Sequence, residues 1–336
     1  MNKFFKNVKV MAYLLSMLFI PALISCSDEN DSVKDPVYDT HAEIKFLFEE
    51  SPEFKDEFAD KVKSVALYVF DENEVFVKVY EDSGEILSKE DYKLAVDGLA
   101  PGKYSCIAWC GLKDKNDGKS YFTVSDMKEG VSTRQELVCR MSTTESAGET
   151  ISDADLNDLF YGSLDEIVIP EENALQTSIY TISLIQDTKE LEIVITDVAE
   201  KESLNPSDYI IRYEDNNSIL GWDNNPTGND KVCYLPYSVE EVQLEGRFNK
   251  SVVAKLKVNR LIFGSNNTLT IYHKDDLDSP RVRIPLVDYI AINLHPYLYP
   301  GFENLSRQER IDVTNKFEMT CYLHNHSFVS NLPTVK

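Results

Sequence analysis

Arginine is missing from the first 133 residues of this chain, and basic residues are scarce throughout it. The chain has 34 basic against 57 acidic residues, which gives a formal net charge of -23. Nucleic acid and anionic lipid head groups repel a chain this acidic, so nucleic-acid binding is not predicted. Hydrophobic residues make up 43% of the sequence, which is ample for a packed core and unlike a disordered chain.

The motifs of several catalytic classes are also absent. The sequence contains no Gly-x-Ser-x-Gly, no phosphate-binding glycine loop and no His-Glu-x-x-His. Carboxylates are so frequent that no pair stands out as a glycosidase acid and base. The most site-like group is Trp222 and Asp223 followed by Asn224, Asn225 and Gly228, because an aromatic ring beside polar groups suits a sugar. A polar loop fixed by one tryptophan is the plainer interpretation. We therefore predict a protein that is not an enzyme and needs no cofactor.

Few histidine or carboxylate residues in the sequence have the spacing of metal ligands. His324 and His326 lie two apart and would share one face of a strand, but no third ligand accompanies them. The loops 114–118 and 275–278 carry several carboxylates and could bind calcium weakly, although Lys119 stands where an EF-hand needs glycine. No metal site is therefore predicted.

Five cysteines lie beyond Cys26, an odd number without the spacing of a disulfide framework. At least one thiol must be unpaired within the chain, and any pairing of the others stays open. We interpret the five mainly as small buried hydrophobic residues. They are Cys106, Cys110, Cys139, Cys233 and Cys321.

The N-terminus carries a short basic and apolar leader. Lys3, Lys6 and Lys9 precede an apolar run over residues 11–24, which is too short for a membrane-spanning helix. The ending Leu23-Ile24-Ser25-Cys26 resembles a bacterial lipobox, in which the leader is removed and the cysteine is acylated. We predict a lipoprotein signal peptide over residues 1–25 and lipidation of Cys26, because several acyl chains anchor a protein almost permanently. The alternative is an ordinary cleaved signal with a chance cysteine.

Residues 26–40 are predicted to form an acidic, flexible tether, since Val33 is the one hydrophobic side chain between Cys26 and Val37. The acidic cluster after the cysteine resembles the export signal that Bacteroidetes use for lipoproteins on the outer face of the outer membrane. Cleavage after residue 25 would remove three lysines and no acid, so the net charge would change from -23 to -26.

Beyond the tether, apolar residues recur at every second position, which is typical of half-buried strands. Ala42, Ile44, Phe46 and Phe48 show the pattern. The runs 62–70 and 75–80 predict a hairpin, and Pro101-Gly102 predicts a type II turn with a left-handed glycine. Helical patterns are confined to 287–294 and 306–315, while 143–158 is interpreted as a loop and 187–189 as a turn. The fold class is therefore all-β, with two antiparallel β-sandwiches over residues 41–172 and 173–336.

Two ordered series of motifs resemble the FimB-type fimbrial anchor family of Bacteroidia. The first series comprises Leu67–Asn73, Leu99–Tyr104, Ala108–Gly111 and Phe160–Gly162. The second comprises Ile182–Leu184 continuing through Asp187-Thr188-Lys189, then Tyr234–Pro236, Asn259–Leu261 and Ile284–Tyr289. The resemblance implies two tandem transthyretin-like sandwiches. Family members place glycine after the hairpin asparagine, where this chain has Glu74, so Asn73 is expected to be left-handed. Phe70, Tyr104 and Trp109 are interpreted as core residues.

The resemblance also implies a function. The chain would be a structural lipoprotein that anchors a type V fimbria to the outer membrane and seeds or limits its polymerisation. Its partners would be a fimbrial stalk subunit, joined by β-strand addition, and the membrane, reached through N-terminal acyl chains. An arginine-specific protease has no site before Arg134 and cannot remove the first strand, as expected of a subunit at the base, while cleavage at lysine stays open. The alternative is a surface carbohydrate-binding lipoprotein of a glycan-uptake system, which would show an exposed aromatic platform.

Overall fold

The computed structural model describes residues 41–49, 55–113, 120–171, 177–197, 204–246, 249–324 and 327–330. Strands dominate this part of the chain, which confirms the predicted all-β class. The strands are β1 (His41–Leu47), β2 (Ser64–Phe70), β3 (Phe76–Ser83), β4 (Leu94–Asp97), β5 (Gly102–Cys110), β6 (Phe122–Val124), β7 (Cys139–Met141), β8 (Thr144–Ser146), β9 (Glu149–Ser152), β10 (Phe160–Ile169), β11 (Ser178–Ser183), β12 (Ile185–Gln186), β13 (Lys189–Asp197), β14 (Tyr209–Asp215), β15 (Ile219–Leu220), β16 (Val232–Tyr234), β17 (Ser238–Val242), β18 (Ser251–Val258), β19 (Thr268–His273), β20 (Val282–Ile284), β21 (Lys316–His324) and β22 (Ser327–Ser330).

Helices are short and connect the strands. The α-helices are α1 (Phe58–Lys61), α2 (Leu286–Asn293) and α3 (Arg307–Asp312), and 3-10 helices span Glu85–Ser88, Arg134–Glu136, Pro206–Asp208 and Phe302–Asn304. The two predicted helical segments are confirmed as α2 and α3. Ser306 caps α3 because its side chain accepts a hydrogen bond from Glu309 N, and the Glu309 side chain bonds back to Ser306 N.

Two sheets, which we call the N-terminal sheets, contain the first strands of the chain. One has the order β11-β1-β4, and the other has the order β12-β10-β5-β2-β3. A hydrophobic cluster with members from both sheets includes Ile44, Phe46, Leu67 and Ala108. The sheets therefore enclose a common core, as expected of a sandwich.

The C-terminal sheets have the orders β17-β18-β13-β21-β22 and β20-β19-β14-β16-β9-β8, and a small third sheet has the order β15-β7-β6. A second, larger cluster includes residues of these sheets and of α2 and α3. It also includes Tyr68 and Trp109 from the second face of the five-stranded N-terminal sheet. That sheet is covered on both faces, which explains why every residue of β2 is buried.

Strand pairing crosses the predicted boundary at residue 172. β11 pairs with β1, and β12 pairs with β10, so residues 178–186 complete the N-terminal sheets. The division into two transthyretin-like domains near residue 172 stays a prediction. The observed pairing assigns the connection between the two groups of sheets to Asp187 and Thr188, between β12 and β13.

Four local expectations were wrong. Residues 143–158 contain the hairpin of β8 and β9, which pairs with β16. Residues 187–189 are fully buried, whereas a turn between hairpin strands is normally at the surface. Gly102 begins β5 and has no left-handed φ, while Gly98 has φ 76°. In the predicted hairpin, Glu74 and not Asn73 takes the left-handed conformation, with φ 62°.

Candidate functional site

The first strand, β1, lies at the centre of its sheet. It pairs in parallel with β11 over Ala42–Leu47 and antiparallel with β4 over His41–Ile44. Its inward residues Ala42, Ile44 and Phe46 are at most 2% exposed. Burial of each large apolar side chain contributes about 1.5–3 kcal/mol, so extraction of β1 would open the core that it fills. The alternation predicted for this segment is confirmed.

Cys26 and the predicted tether lie outside the described residues, and lipidation stays a prediction. The described chain begins at His41, which is also the first residue of β1. A tether over residues 26–40 would therefore lead directly into this central strand.

β3 is the longest strand at an edge of the described sheets. It is the last strand of its sheet, and its residues Phe76–Ser83 pair antiparallel with β2. Phe76 is covered on the outer side, since its N–H donates to Ser132 O and its carbonyl accepts from Gly130 N, both at 2.8 Å. From Val77 onward, no described strand pairs with the outer side of β3. We call this segment, Val77–Ser83, the β3 edge; such an edge offers N–H and C=O groups to another extended chain.

The other outer strands are poorer templates. Those of the larger sheets are β12, β17, β20, β8 and β22, and none exceeds five residues, a length that discourages strand addition. β11 has six residues, but its neighbour β10 lies close to it, and the hydroxyl of Tyr180 on β11 bonds to the backbone of β10. This hydroxyl donates to Val168 O at 3.1 Å and accepts from Val168 N at 2.9 Å. The β3 edge is therefore the best candidate for strand addition in the described chain.

The side chains of the β3 edge are mixed in character. Val77 and Val79 are half-buried and pack against the two hydrophobic cores. The Tyr80 hydroxyl donates to Asp97 O at 2.6 Å, and burial raises its pKa well above the usual value, so it stays protonated. Glu81 is exposed and lies 3.7 Å from Lys113 Nζ. An added strand would bond to the backbone and contact valine on either face.

Trp222 and its polar neighbours do not form an open sugar platform. The Arg134 guanidinium lies 4.3 Å from the centre of the Trp222 ring, and the Tyr161 hydroxyl donates to Trp222 O at 2.9 Å. Asn224 is buried and has φ 59°, and its side chain donates to Asp187. This loop fixes one part of the chain to another, so the plainer interpretation is confirmed.

The five cysteines beyond Cys26 are all free and buried. Burial raises the pKa of Cys106 and of Cys321 to about 12, and that of Cys233 to about 11. Their thiols are therefore protonated and unreactive at neutral pH. The interpretation of these residues as small hydrophobic side chains is confirmed.

Two of the predicted core aromatics are fully buried, and the third is half-buried. Phe70 and Trp109 are 0% exposed, and Trp109 lies edge-on to Tyr161 with ring centres 5.0 Å apart. Tyr104 packs against the smaller core while its hydroxyl donates to Ala100 O at 2.8 Å. These residues pack the sheets together and none forms a binding surface.

The candidate metal positions lie partly outside the described chain. This holds for the loop 114–118, for His326 and for the side chain of His324. In the loop 275–278, Asp276 accepts from Ser279 N at 3.2 Å, and Asp275 lies 3.5 Å from His273. Among the described residues, no group of three His, Cys, Asp or Glu side chains is placed to hold a metal ion. No described helix is long and apolar enough to cross a membrane.

Sequence reasoning missed a buried charged group around Asp187, Arg260 and Asp312. Arg260 Nη2 donates to Asp312 Oδ2 at 3.0 Å, and Arg260 Nε lies 3.8 Å from Asp187 Oδ1. The sequence carries no local signal of this burial, because Asp187-Thr188-Lys189 is polar and begins with aspartate, as many exposed turns do.

Comparison with known proteins gives one family match. The family model described as fimbrillin-A associated anchor proteins Mfa1 and Mfa2 matches residues 32–336. No curated protein sequence matches the chain.

Several solved structures have a similar fold. The fimbrial anchor protein Mfa2 from Porphyromonas gingivalis is 16% identical, with a TM-score of 0.66 over 86% of this chain and 94% of that one. A Bacteroides thetaiotaomicron protein provisionally described as an adhesin is 23% identical, with a TM-score of 0.73 over 88% of this chain and 94% of that one. Another from the same species, provisionally described as polysaccharide-binding, is 24% identical, with a TM-score of 0.73 over 88% and 98%. At these identities the likeness shows a shared fold.

Proposed function

The chain belongs to the family of fimbrillin-A associated anchor proteins, and from this we propose that it ties a fimbria to the outer membrane through acyl chains on Cys26. The family predicted from the sequence motifs is thereby confirmed, and membership of a fimbrial anchor family is consistent with a location at the cell surface. The membrane, the lipid and the mode of attachment are our proposal. The lipobox-like ending and the acidic tether support them.

We further propose that a fimbrial stalk subunit joins the chain by strand addition at the β3 edge. The observation that carries this is the seven-residue stretch Val77–Ser83, on whose outer side no described strand pairs, while the other edge strands of the described sheets are shorter or covered. β1 would stay in place, because it is buried between two strands and no arginine precedes Arg134. A subunit that keeps its first strand can receive a neighbour only at an edge, so it would seed the filament and limit it at the base.

Replacement of Cys26 tests the anchor. In cells that carry Cys26→Ala, both this protein and the fimbriae should appear in the culture medium instead of on the cells. Cys321→Ala is the matched control, since that cysteine is buried and free. Fimbriae of normal number and length on Cys26→Ala cells would refute the proposal.

Site-specific cross-linking tests the edge. A photoreactive residue in place of Glu81, which is exposed on β3, should cross-link to the fimbrial subunit. Glu240 is the matched control, since it is exposed on the edge strand β17. Cross-linking from position 240 and not from position 81 would refute the assignment to β3 while leaving the anchor function intact.

A further inference from the structure

The connection between the two groups of sheets is buried. Only Asp187 and Thr188 separate β12 from β13, and both residues are 0% exposed. Asp187 N donates to Leu159 O at 2.8 Å, and Leu159 N donates to Thr188 Oγ1 at 3.1 Å. A hinge between independent domains normally runs through exposed backbone that few contacts restrain. This connection has the opposite properties.

A set of charged and polar side chains, which we call the junction network, closes over the connection. It comprises Asp187, Lys189, Asn224, Arg260 and Asp312. Asn224 Nδ2 donates to Asp187 Oδ1 at 2.8 Å, and Arg260 donates to Asn224 O through Nη1 and to Asp312 Oδ2 through Nη2. Lys189 Nζ donates to Asp312 O at 2.6 Å. Two carboxylates and two cations balance one another, as buried charges require.

Arg260 has the central place in this network. It joins the loop that contains Asn224 to Asp312 of α3, and its Nε is 3.8 Å from Asp187 Oδ1. Asp187 Oδ2 has no hydrogen-bond donor among the described residues. Burial raises the pKa of Asp187 to about 7, and the Arg260 charge opposes that rise. Loss of Arg260 would leave two buried carboxylates with only Lys189 to balance them.

Strands also pair across the connection. β9 precedes the connection and pairs in parallel with β16 of the C-terminal sheets. Arg212 of β14 reinforces this pairing, since its Nη2 donates to both carboxylate oxygens of Glu149 at 2.8 and 3.0 Å. In the opposite direction, β15 follows the connection and pairs with β7 in the small sheet. The six-stranded C-terminal sheet and the small sheet therefore each contain strands from both sides of the connection.

We propose that the junction network and the strands paired across the connection couple the N-terminal and C-terminal sheets into one cooperative unit. Arg260 holds α3 and the loop of Asn224 over the buried connection, and the same loop contacts Arg134 and Tyr161 of the N-terminal side through Trp222. A force applied to the N-terminal sheets would then be transmitted to the C-terminal sheets without first extending the connection at Asp187 and Thr188. Because it concerns how the chain unfolds, this coupling is independent of the proposed anchor function, and either can fail without the other.

The two tryptophans provide local probes of the coupling. Trp109 is buried in the five-stranded N-terminal sheet, and Trp222 packs on Arg134 in the loop next to Asn224. Trp222→Phe leaves Trp109 as the only tryptophan, and Trp109→Phe leaves Trp222, so excitation selective for tryptophan reports on one site in each protein. Each protein is unfolded in urea, and its fluorescence transition is compared with its own far-UV circular dichroism transition. We expect the two transitions to coincide in both proteins.

Arg260→Met, added to each single-tryptophan protein, should separate the transitions. The Trp222 signal should change at lower urea than the Trp109 signal, and the first thermal transition should fall by roughly 10 °C. Lys103→Met is the matched control, because it removes a Lys103–Glu166 pair of 2.7 Å in which both side chains are 55% exposed. It should leave the transitions coincident and barely shifted.

Two results would overturn the coupling. One is separated transitions in the proteins that retain Arg260. The other is coincident transitions after Arg260→Met, which would mean that Arg260 contributes stability without joining the parts. If Arg260→Met does not fold, Arg260→Lys replaces it, since lysine keeps the charge but lacks the planar fork through which Nη1 and Nη2 of Arg260 bond separately to Asn224 and Asp312.

Discussion

Replacement of Trp109 by alanine should destabilise the chain by about 4 kcal/mol. The ring is 0% exposed and contacts Tyr161 edge-on in the larger core. A buried tryptophan removes about 150–250 Å² from water, which at about 25 cal/mol per Å² corresponds to roughly 4–6 kcal/mol as an upper bound. Measured costs of large-to-small changes of this kind are about 3–5 kcal/mol.

The indole nitrogen refines this estimate. Trp109 Nε1 is buried and has no hydrogen-bond acceptor among the described residues. A buried donor without an acceptor costs about 1–3 kcal/mol, so removing it offsets part of the lost packing. Trp109→Phe keeps most of the ring and removes the donor. We therefore expect it to cost less than about 1.5 kcal/mol, well below the cost of the alanine variant.

The assay is urea unfolding at 25 °C followed by far-UV circular dichroism, since tryptophan fluorescence changes with the substitution itself. Trp222→Ala is the control, because that ring is half-buried against Arg134, and about 1 kcal/mol is expected for the lost cation–π contact. A cost below about 2 kcal/mol for Trp109→Ala, or equal costs for alanine and phenylalanine, would refute this account of the core.

Three further predictions concern the junction, a turn and the thiols. Burial raises the pKa of Asp187 above its unfolded value to about 7, so its stabilising effect is complete below the unfolded pKa and is lost as pH rises through 7. The urea midpoint of the wild type should therefore fall relative to that of Asp187→Asn between pH 5 and pH 8. Gly111 has φ +82°, and an added Cβ would lie 2.0 Å from Asp158 O, whereas at Gly148, with φ +84°, nothing lies within 4 Å. Gly148→Ala should cost about 1–2 kcal/mol in thermal unfolding and Gly111→Ala clearly more; equal costs would contradict the close approach. A thiol reagent at pH 8 should label none of the five buried cysteines in the native protein and all five in urea, and labelling of native protein at the rate of a free thiol would contradict their burial.

The junction network and the β3 edge serve different parts of the proposed role. The edge offers unpaired backbone groups to a neighbour, and the network holds the part that carries this edge to the rest of the chain. A fimbrial anchor transmits tension between its filament and its membrane. A buried connection suits that task better than an exposed hinge, which would extend first under load.

Much of the fold could be predicted from local sequence. Alternation in Ala42, Ile44 and Phe46 indicated a strand with one buried face, and the structure buries those residues. The helices α2 and α3 were predicted close to their observed bounds, because a helical period and a capping serine are local signals. The family was predicted from ordered motifs, and the match over residues 32–336 confirms it.

Distant pairing could not be predicted in this way. The segment that contains β8 and β9 has a polar composition typical of a loop, yet β9 joins β16, about 80 residues later. Asp187-Thr188-Lys189 has the polarity of an exposed turn, but polar partners far along the chain, in the loop of Asn224 and in α3, make its burial possible. The polar residues after Trp222 suggested a sugar contact, but Arg134, which covers the Trp222 ring, lies 88 positions earlier in the chain.

The sequence by itself determined the all-β class, the family, and which residues face a core, because the period of apolar residues is a property of neighbouring positions. Only the tertiary structure decided which strands meet, which edge stays unpaired and which charges are buried together. Those outcomes depend on contacts between segments that are far apart in the chain, and the residues of one segment carry no signal of the partner that another segment provides.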